Sequence, residues 1–246
     1  MSQDARKGPK IGVLVPFTNT NLEPDMLAMC PTGCTMHFQR LGGYDVEEIP
    51  DAEQMAGLGA SDIDHDLRMI AGVRPKAVIY GCTSATLTHG PRFDRDLAAK
   101  INARTGAFSI TAAGSLITAL QALKATQVGF ASPYVGDIND QAIAFLEQHS
   151  VETVQRADIG RALDNYGQGE LSPNEVFELA LKADTPRAQA IVLSCTDMRS
   201  VETIQHIEEE VGKPVVASNQ AMIFSLCRLL GLTRNPGMPG MLFDRL

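Results

Sequence analysis

The sequence predicts an α/β protein made of two pseudo-symmetric, doubly wound parallel-sheet domains, with the active site in the cleft between them. Short apolar runs rich in Val and Ile alternate with helical patterns along the 246 residues, as expected when helices cover both faces of parallel strands. Three sequence landmarks also recur in the same order at nearly constant spacing, which indicates an internal repeat.

A pair of matched cysteine segments is the clearest of these landmarks. Residues 78–84 read VIYGCTS and residues 191–197 read IVLSCTD, so each apolar run ends in a small residue followed by Cys-Thr and an apparent helix start. Ligands of such folds bind beyond the carboxyl ends of the strands, where both cysteines are expected. The weaker pairs match 11–17 with 128–134 and 106–110 with 212–216.

The individual elements follow from hydrophobic periodicity. Strands are predicted at 10–16, 34–41, 76–82, 106–111, 127–132, 151–156, 189–195 and 214–218. Helices are predicted at 61–73, 91–104, 114–124, 137–149, 173–184, 199–211 and 219–230, and the tail over 235–240 is expected to be irregular. The last helix is expected to cross back to the first half. The N-terminal domain would therefore comprise 1–112 plus 219–246, and the C-terminal domain 113–218.

Composition narrows the class of protein. A formal net charge of −8 argues against a nucleic-acid partner, whose binding needs a basic face. No apolar run is long enough to span a bilayer, so no membrane partner is expected. The polar start lacks the apolar core of a signal peptide, which predicts a cytoplasmic protein. Five scattered cysteines are then expected to be reduced thiols.

The two matched cysteines, Cys82 and Cys195, are the predicted catalytic residues. A cysteine between a strand and a helix start lies near backbone N–H groups and the positive end of the helix dipole, which favour the thiolate. The hydroxyls of Thr83, Ser84 and Thr196 are suited to bind a substrate carboxylate or the enolate formed from it. The alternative is that each cysteine is a small buried hydrophobic residue, but the matched Cys-Thr turns favour chemistry.

The remaining cysteines and glycines predict neither a metal nor a cofactor. Cys30 and Cys34 flank a Pro-Thr-Gly turn, but no second pair of ligands is spaced to complete a metal site. Cys227 lies in an apolar helical pattern and is expected in the core. No glycine-rich phosphate loop follows a strand. Phe17, Tyr44 and Met198 are candidates for the pocket wall, although core or rim packing is equally favoured.

A family resemblance becomes specific after the first strand. Residues 16–23 carry the pattern Pro-x-x-Asn-Thr-x-x-Glu, which resembles the maleate cis-trans isomerase branch of the aspartate/glutamate racemase superfamily, close to the arylmalonate decarboxylases. The resemblance covers nearly the whole chain and implies two pseudo-symmetric domains with one cysteine from each. It implies that Asn19, Tyr134 and Asn165 bind substrate carboxylate, and it suggests a homodimer.

The same resemblance implies a cofactor-independent isomerisation of a small dicarboxylic acid, maleate to fumarate or an analogue. The Cys82 thiolate would add to one alkene carbon, and Cys195 would supply a proton to the neighbouring carbon. Rotation about the new single bond and loss of the thiolate would give the trans isomer. The donors beside Cys82 favour it as the nucleophile.

Departures from each relative leave alternatives open. Thr83 and Ser84 resemble the decarboxylases and the ectoine-utilisation relatives rather than the isomerases, whereas the decarboxylases lack a counterpart of Cys82. The alternatives are an amino-acid or hydantoin racemase that uses both cysteines for proton transfer at one carbon, and an arylmalonate-type decarboxylase that uses Cys195 alone. A non-catalytic binding protein for small acids is a further alternative, but it would have no need of two matched thiols.

Overall fold

The computed structural model describes residues 7–42, 57 and 62–246. This part of the chain forms two four-stranded parallel sheets with helices packed on them. With the eight strands numbered β1 to β8 in chain order, their order is β2-β1-β3-β4 in the first sheet and β6-β5-β7-β8 in the second. The same order therefore occurs twice, as an internal repeat requires, and the predicted α/β fold class is confirmed.

Each predicted strand is present, within a few residues of its expected bounds. The inner strands β3 and β7 are buried along their whole length, because neighbouring strands and helices surround them. The strands are β1 Lys10–Pro16, β2 Thr35–Leu41, β3 Ala77–Tyr80, β4 Phe108–Thr111, β5 Gln127–Ser132, β6 Glu152–Asp158, β7 Ala190–Leu193 and β8 Val215–Ala217.

The predicted helices are also present, and the sequence missed only short ones within the described ranges. These lie at Leu22–Ala28 and Gly167–Glu170, with a 3-10 helix at Met241–Arg245, and each is too brief to show a helical period. The helix start predicted after Cys82 is the short helix Thr83–Leu87. The helices are α1 Leu22–Ala28, α2 Asp64–Ala71, α3 Thr83–Leu87, α4 Gly90–Thr105, α5 Ala112–Leu123, α6 Asp137–Gln148, α7 Gly167–Glu170, α8 Pro173–Ala183, α9 Ile204–Val211 and α10 Ser218–Leu230.

The helix predicted at 199–211 begins later than expected, at Ile204. Residues 199–203 form tight turns instead, because the Thr203 hydroxyl donates to the Ser200 carbonyl at 2.8 Å and the Ser200 N–H donates to the Met198 carbonyl at 2.6 Å. The apparent helix start after Cys195 is therefore wrong. No helix begins directly after that thiol, whereas Cys82 directly precedes the short helix α3.

Helices α5 and α10 join the two sheets. They follow β4 and β8, pack against one another, and contribute to one apolar core that includes Val13 of the first sheet and Phe130 of the second. Fully buried side chains such as Phe224 each stabilise this core by about 2–3 kcal/mol. The shared core holds the carboxyl ends of both sheets close together, while the domain boundary near residue 112 stays a prediction.

Candidate active site

Cys82 and Cys195 line one cavity where the two sheets meet. Each follows an inner strand, and the residue before it continues the strand by one backbone hydrogen bond, from Gly81 N to Leu14 O and from Ser194 N to Ala131 O, both at 2.9 Å. Both thiols are buried, with exposed fractions of 5% and 3%. The structure thus brings the two predicted catalytic residues together from equivalent positions of the repeat.

A glycine is required before Cys82. A Cβ atom at Gly81 would lie 2.3 Å from the Leu22 side chain and 2.9 Å from the Leu14 carbonyl oxygen. These distances are shorter than van der Waals contact, so any larger residue would displace the Cys82 loop or helix α1. The close approach of β1, α1 and this loop fixes Cys82 at the cavity.

A row of hydroxyl groups connects the two thiols. Ser84 Oγ lies 3.7 Å from Cys82 Sγ and donates to Tyr134 Oη over 3.5 Å. Tyr134 Oη in turn lies 3.7 Å from Cys195 Sγ. Both predicted residues therefore lie between the thiols, and because their mutual contact is longer than an ordinary O–H···O hydrogen bond, either hydroxyl group can turn to a bound anion or a thiolate.

Burial raises the pKa of both thiols, which corrects the expectation that the loops lower it. For Cys82, the Ala85 N–H and the Ser84 hydroxyl oppose this effect without overcoming it. For Cys195, burial and then the negative charge of Asp197 raise the pKa to about 12. Cys195 is consequently a protonated thiol, suited to donate a proton, whereas no carboxylate opposes ionisation of Cys82.

The turn that carries Tyr134 is locked by a buried amide. Ser132 Oγ donates to Asn139 Oδ1, Asn139 Nδ2 donates to the Tyr134 carbonyl at 2.6 Å, and Tyr134 N donates back to Ser132 Oγ at 3.1 Å. Asn139 is fully buried on α6. Three hydrogen bonds thus fix the backbone of the turn from which Tyr134 enters the cavity lining.

Asn19 lines the cavity, and it also organises its own loop. Its Oδ1 accepts from Leu22 N at 2.8 Å and Asn21 N at 3.1 Å, which are backbone groups at the start of α1. Its Nδ2 donates to Thr196 Oγ1 at 3.1 Å. An amide nitrogen carries two hydrogens, so one is not used by this bond, and substrate binding by Asn19 stays a prediction.

The hydroxyl protons of Thr83 and Thr196 are already used. Thr196 Oγ1 donates to the Gly81 carbonyl at 2.9 Å, and Thr83 Oγ1 donates to Ser218 Oγ at 2.9 Å. Each hydroxyl has a single hydrogen, so both threonines tie loops of opposite halves together in this structure. Thr196 lines the cavity, whereas Thr83 lies outside its lining, and substrate binding by either stays a prediction.

Asn165 is buried and lines the cavity, as the resemblance implies. Its neighbour Asp164 accepts from Gly167 N at 2.8 Å and so organises the start of α7. That short helix also places Gln168 in the cavity wall, a residue that the sequence did not single out. Phe17 and Met198 are not part of the lining, and Tyr44 lies outside the described residues.

Asp197 is the second lining residue that sequence reasoning missed as a site residue. Its Oδ1 accepts from Thr20 N at 2.8 Å, Asn21 N at 3.0 Å and Asn21 Nδ2 at 3.2 Å. Its own N–H donates to Cys195 Sγ at 3.4 Å. Asp197 therefore joins the loop after β1 to the Cys195 loop, a contact between halves that no local pattern reveals.

Two thiols on matched loops of a duplicated α/β fold, with hydroxyl and amide groups around them, define a cysteine-dependent enzyme site. The comparison with protein families agrees with that class. The family model described as arylmalonate decarboxylase matches residues 11–243, and the chain belongs to this family.

Curated relatives span nearly the same length. The chain is 24% identical to a maleate isomerase of Geobacillus stearothermophilus over 91% of this chain and 92% of that protein. It is 26% identical to an arylmalonate decarboxylase of Bordetella bronchiseptica over 96% and 94% of the two chains. The family thus includes relatives of two different activities at similar distance.

Solved structures share the fold. A maleate isomerase from Pseudomonas putida with maleate superposes with a TM-score of 0.87 at 24% identity, covering 97% of this chain and 98% of that one. A cysteine-to-serine mutant of the Nocardia farcinica maleate cis-trans isomerase, with a covalently bound succinylcysteine intermediate, has a TM-score of 0.84 at 25% identity and covers 97% and 99%.

Proposed function

We propose that the protein is a cofactor-independent isomerase that converts a small cis-dicarboxylic acid, maleate or a close analogue, into its trans isomer. The observation that carries this proposal is the pair of cysteines from matched loops on one cavity, with different surroundings for the two thiols. A thiolate addition needs one nucleophilic and one protonated thiol, and this asymmetry supplies both. The maleate isomerases among the relatives support the same reaction.

The reaction balances with these two residues alone. The Cys82 thiolate forms a C–S bond to one alkene carbon, and the Cys195 thiol delivers its proton to the neighbouring carbon, which leaves a Cys195 thiolate. The former double bond is now a single bond and rotates. Cys195 then removes a proton from the same carbon, the C–S bond breaks, and the trans alkene and the Cys82 thiolate are formed. The succinylcysteine of the Nocardia relative supports an intermediate of this kind.

Neutral donors would hold the substrate while one end turns. Tyr134 and Ser84 lie between the thiols, and Asn19 and Asn165 line the same cavity. Preorganised donors stabilise the negative charge that develops on a carboxylate when a thiolate adds beside it. We assign these four residues to carboxylate binding.

The cavity must enlarge for this chemistry. Its volume is about 30 Å³, the space that one water molecule occupies in the liquid, whereas maleate has four carbons and four oxygens. We infer that the loops around the cavity adjust when substrate binds. Substrate entry would require the loops of the two halves to move apart, and closure would then exclude water from the thiols.

Arylmalonate decarboxylation is the second candidate, because the matching family model and one relative carry that name. Cys195 alone would protonate the carbanion that remains after carbon dioxide leaves. That reaction gives Cys82 no role, and Cys82 lies in the cavity beside Ser84. We therefore propose decarboxylation only as the second candidate function, after isomerisation.

The cytoplasm is the compartment that we propose, since a reducing environment keeps thiols free, and Cys30, Cys34, Cys82, Cys195 and Cys227 are all unpaired. None of the described helices is both long and apolar enough to cross a membrane. A homodimer stays part of the proposal.

A proton NMR time course with maleate in D2O tests the proposed function. Maleate and fumarate give separate singlets, so conversion is measured directly. We expect conversion by the reduced protein and its loss in Cys82→Ser and Cys195→Ser. Cys30→Ser is the matched control, because Cys30 lies outside the cavity lining. Conversion that persists without Cys82 would contradict the isomerase, and phenylmalonate loss dependent on Cys195 alone would establish the decarboxylase.

A further inference from the structure

The wall of the cavity carries a negatively charged side chain and no positively charged one among the described residues. Asp197 is the one charged side chain among the lining residues that the structure describes, and the lining has no Lys, Arg or His. A substrate with two carboxylates would place two negative charges beside a third. Neutral donors can hold a carboxylate, but they do not cancel that repulsion at short range.

Three hydrogen bonds to Oδ1 fix the position of Asp197. The donors are the backbone N–H of Thr20 and the backbone N–H and side-chain amide of Asn21. A Cβ atom on Gly169 would lie 2.9 Å from Oδ2, so the absence of a side chain at Gly169 leaves room for this oxygen beside α7. None of the described residues donates a hydrogen bond to Oδ2. The Oδ1 atom of the carboxylate is thus held in place, and the Oδ2 atom can still accept a hydrogen bond.

The groups near Asp197 include acids as well as one cation, so the negative charge of its carboxylate is only partly compensated. The Cys195 thiol and the Asp25 carboxyl lie on its side of the molecule, and Arg40 is the cation whose field favours its ionised form. The Arg40 guanidinium is itself paired with Glu23 at 3.1 Å. Burial raises the pKa of Asp197 to about 6. The group is therefore mostly ionised at neutral pH, and a nearby anion would raise its pKa further.

We propose that Asp197 determines substrate specificity: it selects a cis-alkene with one carboxylate and one uncharged end bearing N–H groups, the monoamide of maleic acid, over the maleate dianion. The proposal rests on the proposed function and refines its substrate class. The monoamide carries one negative charge less, and its amide N–H group can donate to the ionised Asp197. The addition, rotation and elimination steps at the two cysteines are unchanged, and no further reactant is needed.

The expected magnitude follows from the ionisation of Asp197. We assume that maleate binds only to molecules in which Asp197 is protonated. At about pH 7.5 a group with a pKa of about 6 is protonated in roughly one molecule in 30. Maleate would then be used about 30-fold less well than a substrate that accepts the ionised group.

The experiment compares kcat/KM for maleate and its monoamide at about pH 7.5 in three proteins. The wild type is expected to prefer the monoamide. Asp197→Asn keeps the shape of the side chain and offers an amide donor, so it should raise maleate use relative to monoamide use by about 30-fold. Asp94→Asn is the matched control, because Asp94 is a partly buried carboxyl with a raised pKa that lies outside the cavity lining, and it should leave the ratio unchanged.

Calorimetry of the wild-type protein is a second test, and it does not require that any variant folds. Maleate binding, measured in buffers of different ionisation enthalpy, should take up close to one proton, and monoamide binding should take up none. An unchanged substrate ratio in Asp197→Asn, or maleate binding without proton uptake, overturns the proposal while the isomerase stands. If the wild type isomerises neither compound, the proposed function fails and this inference fails with it.

Discussion

Replacement of Thr196 by valine tests how the two halves are held together at the site. The substitution keeps the shape of the side chain and removes one hydroxyl. That hydroxyl donates to the Gly81 carbonyl at 2.9 Å and accepts from Asn19 Nδ2 at 3.1 Å, and Thr196 is 4% exposed. Both partners would lose a buried hydrogen bond, at about 1–2 kcal/mol each. We expect the free energy of unfolding to fall by about 2–4 kcal/mol.

Urea unfolding followed by circular dichroism measures this change. Thr118→Val is the matched control, because Thr118 is half-buried on α5 and its hydroxyl donates only to the Gly114 carbonyl of its own helix, at 3.0 Å. That carbonyl keeps its helical hydrogen bond, so the control should lose no more than about 0.5 kcal/mol. Equal losses in the two variants would refute the assignment of Thr196 as a link between the halves.

Three further predictions concern catalysis and packing. Tyr134→Phe should lower kcat/KM by about 10- to 100-fold, since it removes a hydrogen bond to a charged group worth about 1.5–3 kcal/mol, and an unchanged rate would exclude Tyr134 as a carboxylate binder. Because burial raises the pKa of Cys82 and the thiolate is the reactive form, the thiolate fraction grows about tenfold per pH unit below that pKa; kcat/KM for the monoamide of maleic acid, whose use does not require a protonated Asp197, should rise from about pH 7 to about pH 8.5, and a flat profile with this substrate would contradict this. Gly129→Ala should destabilise the fold by more than about 3 kcal/mol in urea unfolding, because a Cβ would lie 2.1 Å from the Ala183 carbonyl oxygen; a loss below about 1 kcal/mol would show that the strand and α8 can separate.

The strands were predictable because a strand that is buried on both faces is apolar at consecutive positions of the sequence. The runs at β3 and β7 are apolar at every position, and the structure buries every one of them. The short helices show no such pattern. Helix α3 has only five residues, fewer than two turns, and its Thr-Ser-Ala-Thr-Leu sequence has no apolar period.

The site was predictable where chemistry and repetition coincide. Cys82 and Cys195 stand at equivalent positions of a duplicated unit, and the cavity includes both. The ionisation of these thiols was not predictable, because it depends on how completely they are buried. The role of Asp197, two residues after Cys195, was missed because its carboxylate contacts the loop after β1, which is distant in sequence. Gln168 was missed because nothing in its local sequence places α7 at the cavity.

A mass measurement of trapped intermediate tests the central claim most directly. The Cys195→Ser variant, incubated with maleate and then denatured and digested, should carry a mass increase equal to one maleic acid on the peptide that contains Cys82. The other cysteine peptides, including that of Cys30, should be unmodified. An adduct on another cysteine, or none on Cys82 while the wild type isomerises maleate, would contradict the account in which Cys82 adds to the alkene and Cys195 supplies the proton.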